Sequence, residues 1–110
     1  MQVVDGTYGR SAAGVRVRLS FADGYSWSTI AQTETDGDGV INDWNSRHLE
    51  RGLYRLEFDS DGYFARLGAA SAYPEIVVMF RMEDESCLFR VHVTLSPSSY
   101  STYFGTAEAI

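Results

Sequence analysis

The stretch Arg90-Val91-His92-Val93-Thr94-Leu95, followed by Ser96-Pro97-Ser98-Ser99 and then Tyr100 to Gly105, decides the fold. Val91, Val93 and Leu95 alternate with Arg90, His92 and Thr94. A strand turns successive side chains to opposite faces, so this run buries one face and frees the other. Ser96 to Ser99 supplies turn residues, and the strand after it returns alongside. The same two-residue period recurs upstream. Val15, Val17, Leu19 and Phe21 alternate with Arg16, Arg18 and Ser20, and Tyr54, Leu56 and Phe58 with Arg55 and Glu57. Glu75 to Arg81 is almost wholly apolar, which predicts a strand covered on both faces. Ala22-Asp23-Gly24, Asp36-Gly37-Asp38-Gly39, Arg51-Gly52 and Glu83-Asp84-Glu85-Ser86 break the runs. Asp59 to Leu67 reads as one short helix capped by Asp59 or Ser60, with Tyr63, Phe64 and Leu67 at helical spacing. The fold class is therefore mostly β, a two-sheet sandwich of about seven to eight strands with one short helix.

The remaining numbers bound the function. The 110 residues suit one domain, residues 1–110, with 107–110 read as a loose tail. All nine basic residues are Arg, against fifteen acids, for a net charge of -6. That balance argues against a nucleic-acid partner. The longest apolar run, Ile76 to Phe80, is too short for a bilayer, so no membrane association is expected. Met1-Gln2-Val3-Val4-Asp5 does not read as a secretory leader, and the single Cys87 suits a reducing, cytoplasmic setting. One Cys and two His, His48 and His92, make a zinc site improbable, and neither a metal nor a cofactor is expected. Asp36 to Gly39 has the flavour of a calcium loop, but Val40 and Ile41 stand at its next two positions, and a plain turn is the better reading. There is no Gly-x-Ser-x-Gly, and Cys87 follows an acidic loop that disfavours a thiolate. The chemistry-bearing segment is Arg90, His92 and Thr94 on one strand face, a fixed cation, an imidazole and a hydroxyl, which is either a ligand-binding surface or a merely wetted one.

The segment Leu95-Ser96-Pro97-Ser98-Ser99-Tyr100-Ser101-Thr102-Tyr103-Phe104-Gly105-Thr106 resembles the end of the transthyretin and 5-hydroxyisourate hydrolase family. Val3-Val4-Asp5 with Gly9-Arg10-Ser11-Ala12, Thr35 to Gly39, Leu53 to Phe58, Tyr63-Phe64 and Tyr73 to Ile76 follow the family in order. The resemblance implies a sandwich that assembles as a dimer of dimers, a homotetramer, with a small-molecule site in the channel between dimers. It also sets the family's catalytic positions on this chain. The hydrolase's two His fall on Gln2 and Arg90, its two Arg on Val40 and Phe104, and its Ser on Thr106. Every one of these has changed, and losing one such group typically costs factors of hundreds in rate.

On that reasoning the expected protein is not a competent 5-hydroxyisourate hydrolase. It is expected to bind a partly hydrophobic small metabolite and to carry out isomerisation or cyclisation in a biosynthetic setting. Arg90, His92 and Tyr103 would be catalytic, with Gln2, Val4, Val40, Thr94, Ser101, Phe104 and Thr106 binding the ligand. Two other readings stand beside it, a non-catalytic carrier and an inactive partner of an active homologue. Arg90 could instead pair with Asp5 as a purely structural contact. Trp27 and Trp44 are read as packing anchors, and His48 is given no role.

Overall fold

The computed structural model describes residues 1–44, 48–85 and 87–108. Its elements run β1 (Gln2–Asp5), β2 (Arg10–Ser11), β3 (Arg16–Asp23), β4 (Ser26–Glu34), β5 (Gly52–Phe58), α1 (Ser60–Arg66), β6 (Ile76–Met82), β7 (Cys87–Leu95) and β8 (Tyr100–Glu108). Two four-stranded sheets form, ordered β2-β1-β7-β8 and β4-β3-β5-β6. All pairings are antiparallel except β1 with β7.

The alternation read from the sequence sets the faces. Val91, Val93 and Leu95 of β7 and Val17 and Leu19 of β3 turn inward and are buried, with Leu56 and Phe58 from β5. Aromatic rings join the sheets through this core. Phe21 meets Tyr54 at 5.0 Å, Tyr54 meets Phe80 at 5.6 Å, and Phe80 contacts Phe89 at 5.6 Å and Phe104 at 4.9 Å. Such ring pairs add to the area that the core removes from water.

Helix α1 starts where Asp59 caps it, its Oδ1 accepting from the Gly62 N–H at 2.9 Å. Tyr63 and Phe64 are buried, whereas Leu67 stays 40% exposed because it lies past the last helical turn. The Tyr63 hydroxyl donates to Asp5 Oδ2 at 2.7 Å, and Asp5 Oδ1 accepts from the Thr7 N–H at 2.9 Å. The helix is thereby tied to the end of β1. Asp36 to Gly39 forms the plain turn: Asp36 Oδ1 accepts from the N–H groups of Asp38 and Val40, at 2.9 and 3.0 Å. Gly39 sits at φ +73°, and a Cβ there would lie 2.4 Å from the Val3 carbonyl oxygen, so only glycine lets this turn pack against β1.

Several expectations need correction. β6 is not covered on both faces, since Val77 and Met79 are 41% and 56% exposed. It is an edge strand, and its burial alternates, with every second residue from Val77 to Arg81 exposed. Trp44 is buried, as a packing anchor should be, but Trp27 is only half-buried and carries the Arg55 guanidinium 4.4 Å from its ring centroid. The last strand continues past Gly105 to Glu108, held by pairs such as Leu88 with Ala107. Residues 109 and 110 of the expected tail lie outside the described residues. No helix is long and apolar enough to cross a membrane among the described residues.

Candidate functional site

The outward face of the β2-β1-β7-β8 sheet carries the candidate site. Register builds it row by row. Gln2 of β1 pairs with His92 of β7, which pairs with Tyr103 of β8. One step along, Val4, Thr94 and Ser101 make the next row; one step the other way, Arg90 pairs with Gly105, and Leu88 with Ala107. Directly opposed residues share a face, so these side chains project together.

A basin of about 680 Å³ opens on this face. The sequence-predicted residues it gathers are Gln2, Val40, Arg90, His92 and Tyr103. Val40 arrives through the turn after β4, which lies along β1: the Val3 N–H donates to the Gly39 carbonyl at 2.7 Å, and Gln2 bridges to Val40. Val4, Thr94 and Ser101 lie on the same face, one row beyond the basin lining.

Two further predicted ligand residues face the other way. Phe104 pairs with Val91 and so faces inward, where it packs on Phe80. Thr106 pairs with Phe89 and shares that inner face, at its exposed rim. The two-residue period counted from Tyr103 puts both on the opposite side of β8. Sequence reasoning also missed Leu88 and Ala107, which line the apolar end of the basin. The signal for Leu88 was available, since it continues the Thr94, His92, Arg90 series on β7.

Arg90 does not pair with Asp5. Asp5 is fully buried on the inner face, bonded to Tyr63 and to the turn backbone, while Arg90 is exposed on the outer face. Among the described residues no ion pair joins Arg90, and no side-chain hydrogen bond holds His92. The site thus offers an unpaired guanidinium, an imidazole, a phenol and an amide over an apolar floor, the mixture that small-molecule sites use. Among the described residues no three His, Cys, Asp or Glu side chains are grouped so as to hold a metal ion.

His48 stands outside the basin lining. It bridges to Leu88, and its Nδ1 lies 3.3 Å from the Glu85 carbonyl oxygen, which fastens the segment before β5 to the start of β7.

Comparison with known proteins gives a consistent result. The model of the HIUase/Transthyretin family matches residues 1–105. The 5-hydroxyisourate hydrolase of Mus musculus is 33% identical over 107 residues, which cover 94% of this chain and 91% of that protein. That of Caulobacter vibrioides is 33% identical over 108 residues, covering 94% of each. The crystal structure of transthyretin from Sparus aurata superposes with a TM-score of 0.89 at 27% identity, covering 97% of this chain and 95% of that one.

These relatives overturn one expectation. The changes at Gln2, Val40, Arg90, Phe104 and Thr106 led to a diverged, non-hydrolytic function in isomerisation or cyclisation. Relatives matched over nearly their whole length instead carry the name 5-hydroxyisourate hydrolase. A change at a single family position does not by itself decide the activity, and His92, expected as the base of a different reaction, stands on the same strand face as Arg90.

Proposed function

Because this chain belongs to the HIUase/Transthyretin family, we propose that it hydrolyses 5-hydroxyisourate, with the basin on β1, β7 and β8 as the place of reaction. The observation that carries the reading is the row of Gln2, His92 and Tyr103 beside Arg90, set in a chain one-third identical to proteins named for that hydrolysis. The family's imidazole falls on Arg90, and His92 restores an imidazole two residues along the same face.

The chemistry follows from the groups. His92 takes a proton from water as the water adds to a ring carbonyl. Negative charge then gathers on the carbonyl oxygen, and Arg90 with the Tyr103 hydroxyl stabilises it. The ring C–N bond breaks, and the proton held on His92 passes to the departing nitrogen. The Gln2 amide, both donor and acceptor, orients the ring from the same row. Val40 beside Gln2, and Leu88 with Ala107 beyond Arg90, give the basin apolar walls that limit water.

The reading includes assembly as a dimer of dimers. β6 and β8 are both edge strands, with apolar Val77 and Met79 exposed on β6. Edge pairing with a second copy would extend both sheets. A facing copy would also close the basin over Arg90 and His92, which are exposed in the single chain.

The test is the rate at which freshly made 5-hydroxyisourate disappears, with and without the purified protein. The expected outcome is acceleration that scales with protein concentration and falls about 100-fold in His92→Ala. A decay unchanged by the wild-type protein would refute the proposal.

A further inference from the structure

We infer that Gly105 is a positioning residue of this site: its missing β-carbon opens a notch in β8 that holds the Tyr103 phenol in the row of Arg90. The inference rests on the hydrolysis reading above and concerns how its charge-stabilising pair is brought together.

Tyr103 and Gly105 are two residues apart on β8 and share the outer face. Register places Tyr103 opposite His92 and Gly105 opposite Arg90. The tyrosine ring does not stand over its own row. A Cβ built on Gly105 would come 2.7 Å from the Tyr103 hydroxyl oxygen, and 3.2 Å from its Cε1 and Cζ. The ring therefore lies along the strand with its oxygen above the Gly105 backbone. That carries the phenol out of the His92 row and into the Arg90 row. A phenol O–H donor and a guanidinium thus belong to one row, with the imidazole one row away. The carbonyl oxygen gaining negative charge needs this pair, and the water that attacks the carbonyl carbon needs the base beside it. Among the described residues the Tyr103 hydroxyl has no hydrogen-bond partner of its own and remains available to a ligand.

Space, not backbone freedom, is what Gly105 supplies. Six glycines sit at positive φ, and Gly105 is not among them. Its backbone is ordinary strand, which alanine also adopts. Glycine within a strand weakens it and commonly marks a close approach. Here the approaching group is the far end of a side chain, so a methyl at 105 displaces the phenol and leaves the sheet in place.

The experiment compares wild type, Gly105→Ala, Tyr103→Phe and the double variant. Melting temperature reports the fold, kcat and KM report turnover of 5-hydroxyisourate, and calorimetric affinity for urate reports ring binding without reaction. Each single variant should keep its melting temperature and lose about 10- to 100-fold in kcat, with KM changed much less. The double variant should be no worse than either single one, because both act through one hydroxyl. Wild-type kcat in Gly105→Ala, or losses that multiply in the double variant, would overturn the inference. If the wild type does not turn over, the hydrolysis reading fails and urate affinity decides the notch. The same non-additive weakening supports it, whereas additive weakening, an unchanged affinity in Gly105→Ala, or no urate binding by the wild type overturns it.

Discussion

The two sheets present charged outer faces that are built in opposite ways. On the β4-β3-β5-β6 sheet, Glu57 is only 7% exposed and is held between two arginines. Arg18 Nη2 donates to Glu57 Oε2, and Arg55 Nε lies 2.7 Å from Glu57 Oε1, a charge contact too misaligned for a hydrogen bond. Arg55 also rests on Trp27. The hydrogen bond that Arg18 donates to Glu57, then the charge of that carboxylate, pushes the Arg18 pKa up. On the β2-β1-β7-β8 sheet, Arg90 and His92 are exposed over an open basin, with no such partners among the described residues. A charge matched within its own chain contributes to the fold. A charge left unmatched over a concave surface is available to something else. Both faces read as polar strand faces in sequence, and pairing is what separates them.

The sharpest way to break this contrast is Arg90→Ala. It should lower kcat for 5-hydroxyisourate about 100-fold and leave the melting temperature unchanged, because no ion pair is lost. A large loss of stability would mean that the basin face is structural after all. Glu57→Gln tests the other face. Removing the charge leaves two arginines crowded over a neutral amide, and the expected cost is about 2 kcal/mol of unfolding free energy in urea, with kcat unchanged. If kcat also fell, the two faces would not be independent.

Tyr63→Phe sets a smaller effect behind the basin face. Asp5 keeps its turn N–H donors but loses the phenol, at about 1 kcal/mol. The Tyr63 pKa is pushed up to about 12, by burial first and then by its hydrogen bond to Asp5. The fold therefore holds the neutral phenol. Its contribution is complete below the ordinary tyrosine value of 10 and is lost as the pH rises through about 12. Thermal unfolding between pH 9 and about 12 should show wild type losing stability faster than Tyr63→Phe. Parallel curves would remove Tyr63 as the cause.

Much of the sandwich was legible because a strand's alternation is local. β3, β5 and β7 announce their inner faces through Val17, Leu56 and Val91 without reference to anything distant. The same rule, followed through β8, would have placed Phe104 and Thr106 inward and Leu88 and Ala107 at the basin. The motif resemblance fixed their positions in the chain without fixing their direction. Other features were not legible. Whether Val77 and Met79 are covered depends on what packs over their face of the sheet, a property of the folded arrangement and not of composition. The Gly105 notch depends on where a neighbouring ring lies down. Function is hard to read from single positions for a related reason. Substitutions at Gln2 and Arg90 look decisive one position at a time, yet a site is a surface, and His92 belongs to the same surface.

The most direct test of the whole account is an amide chemical-shift map of the protein titrated with urate. The largest changes should fall on Arg90 to Thr94 and Tyr103 to Gly105, while Arg18, Arg55 and Glu57 stay still. Changes centred on β3 and β5, with β7 and β8 silent, would contradict it.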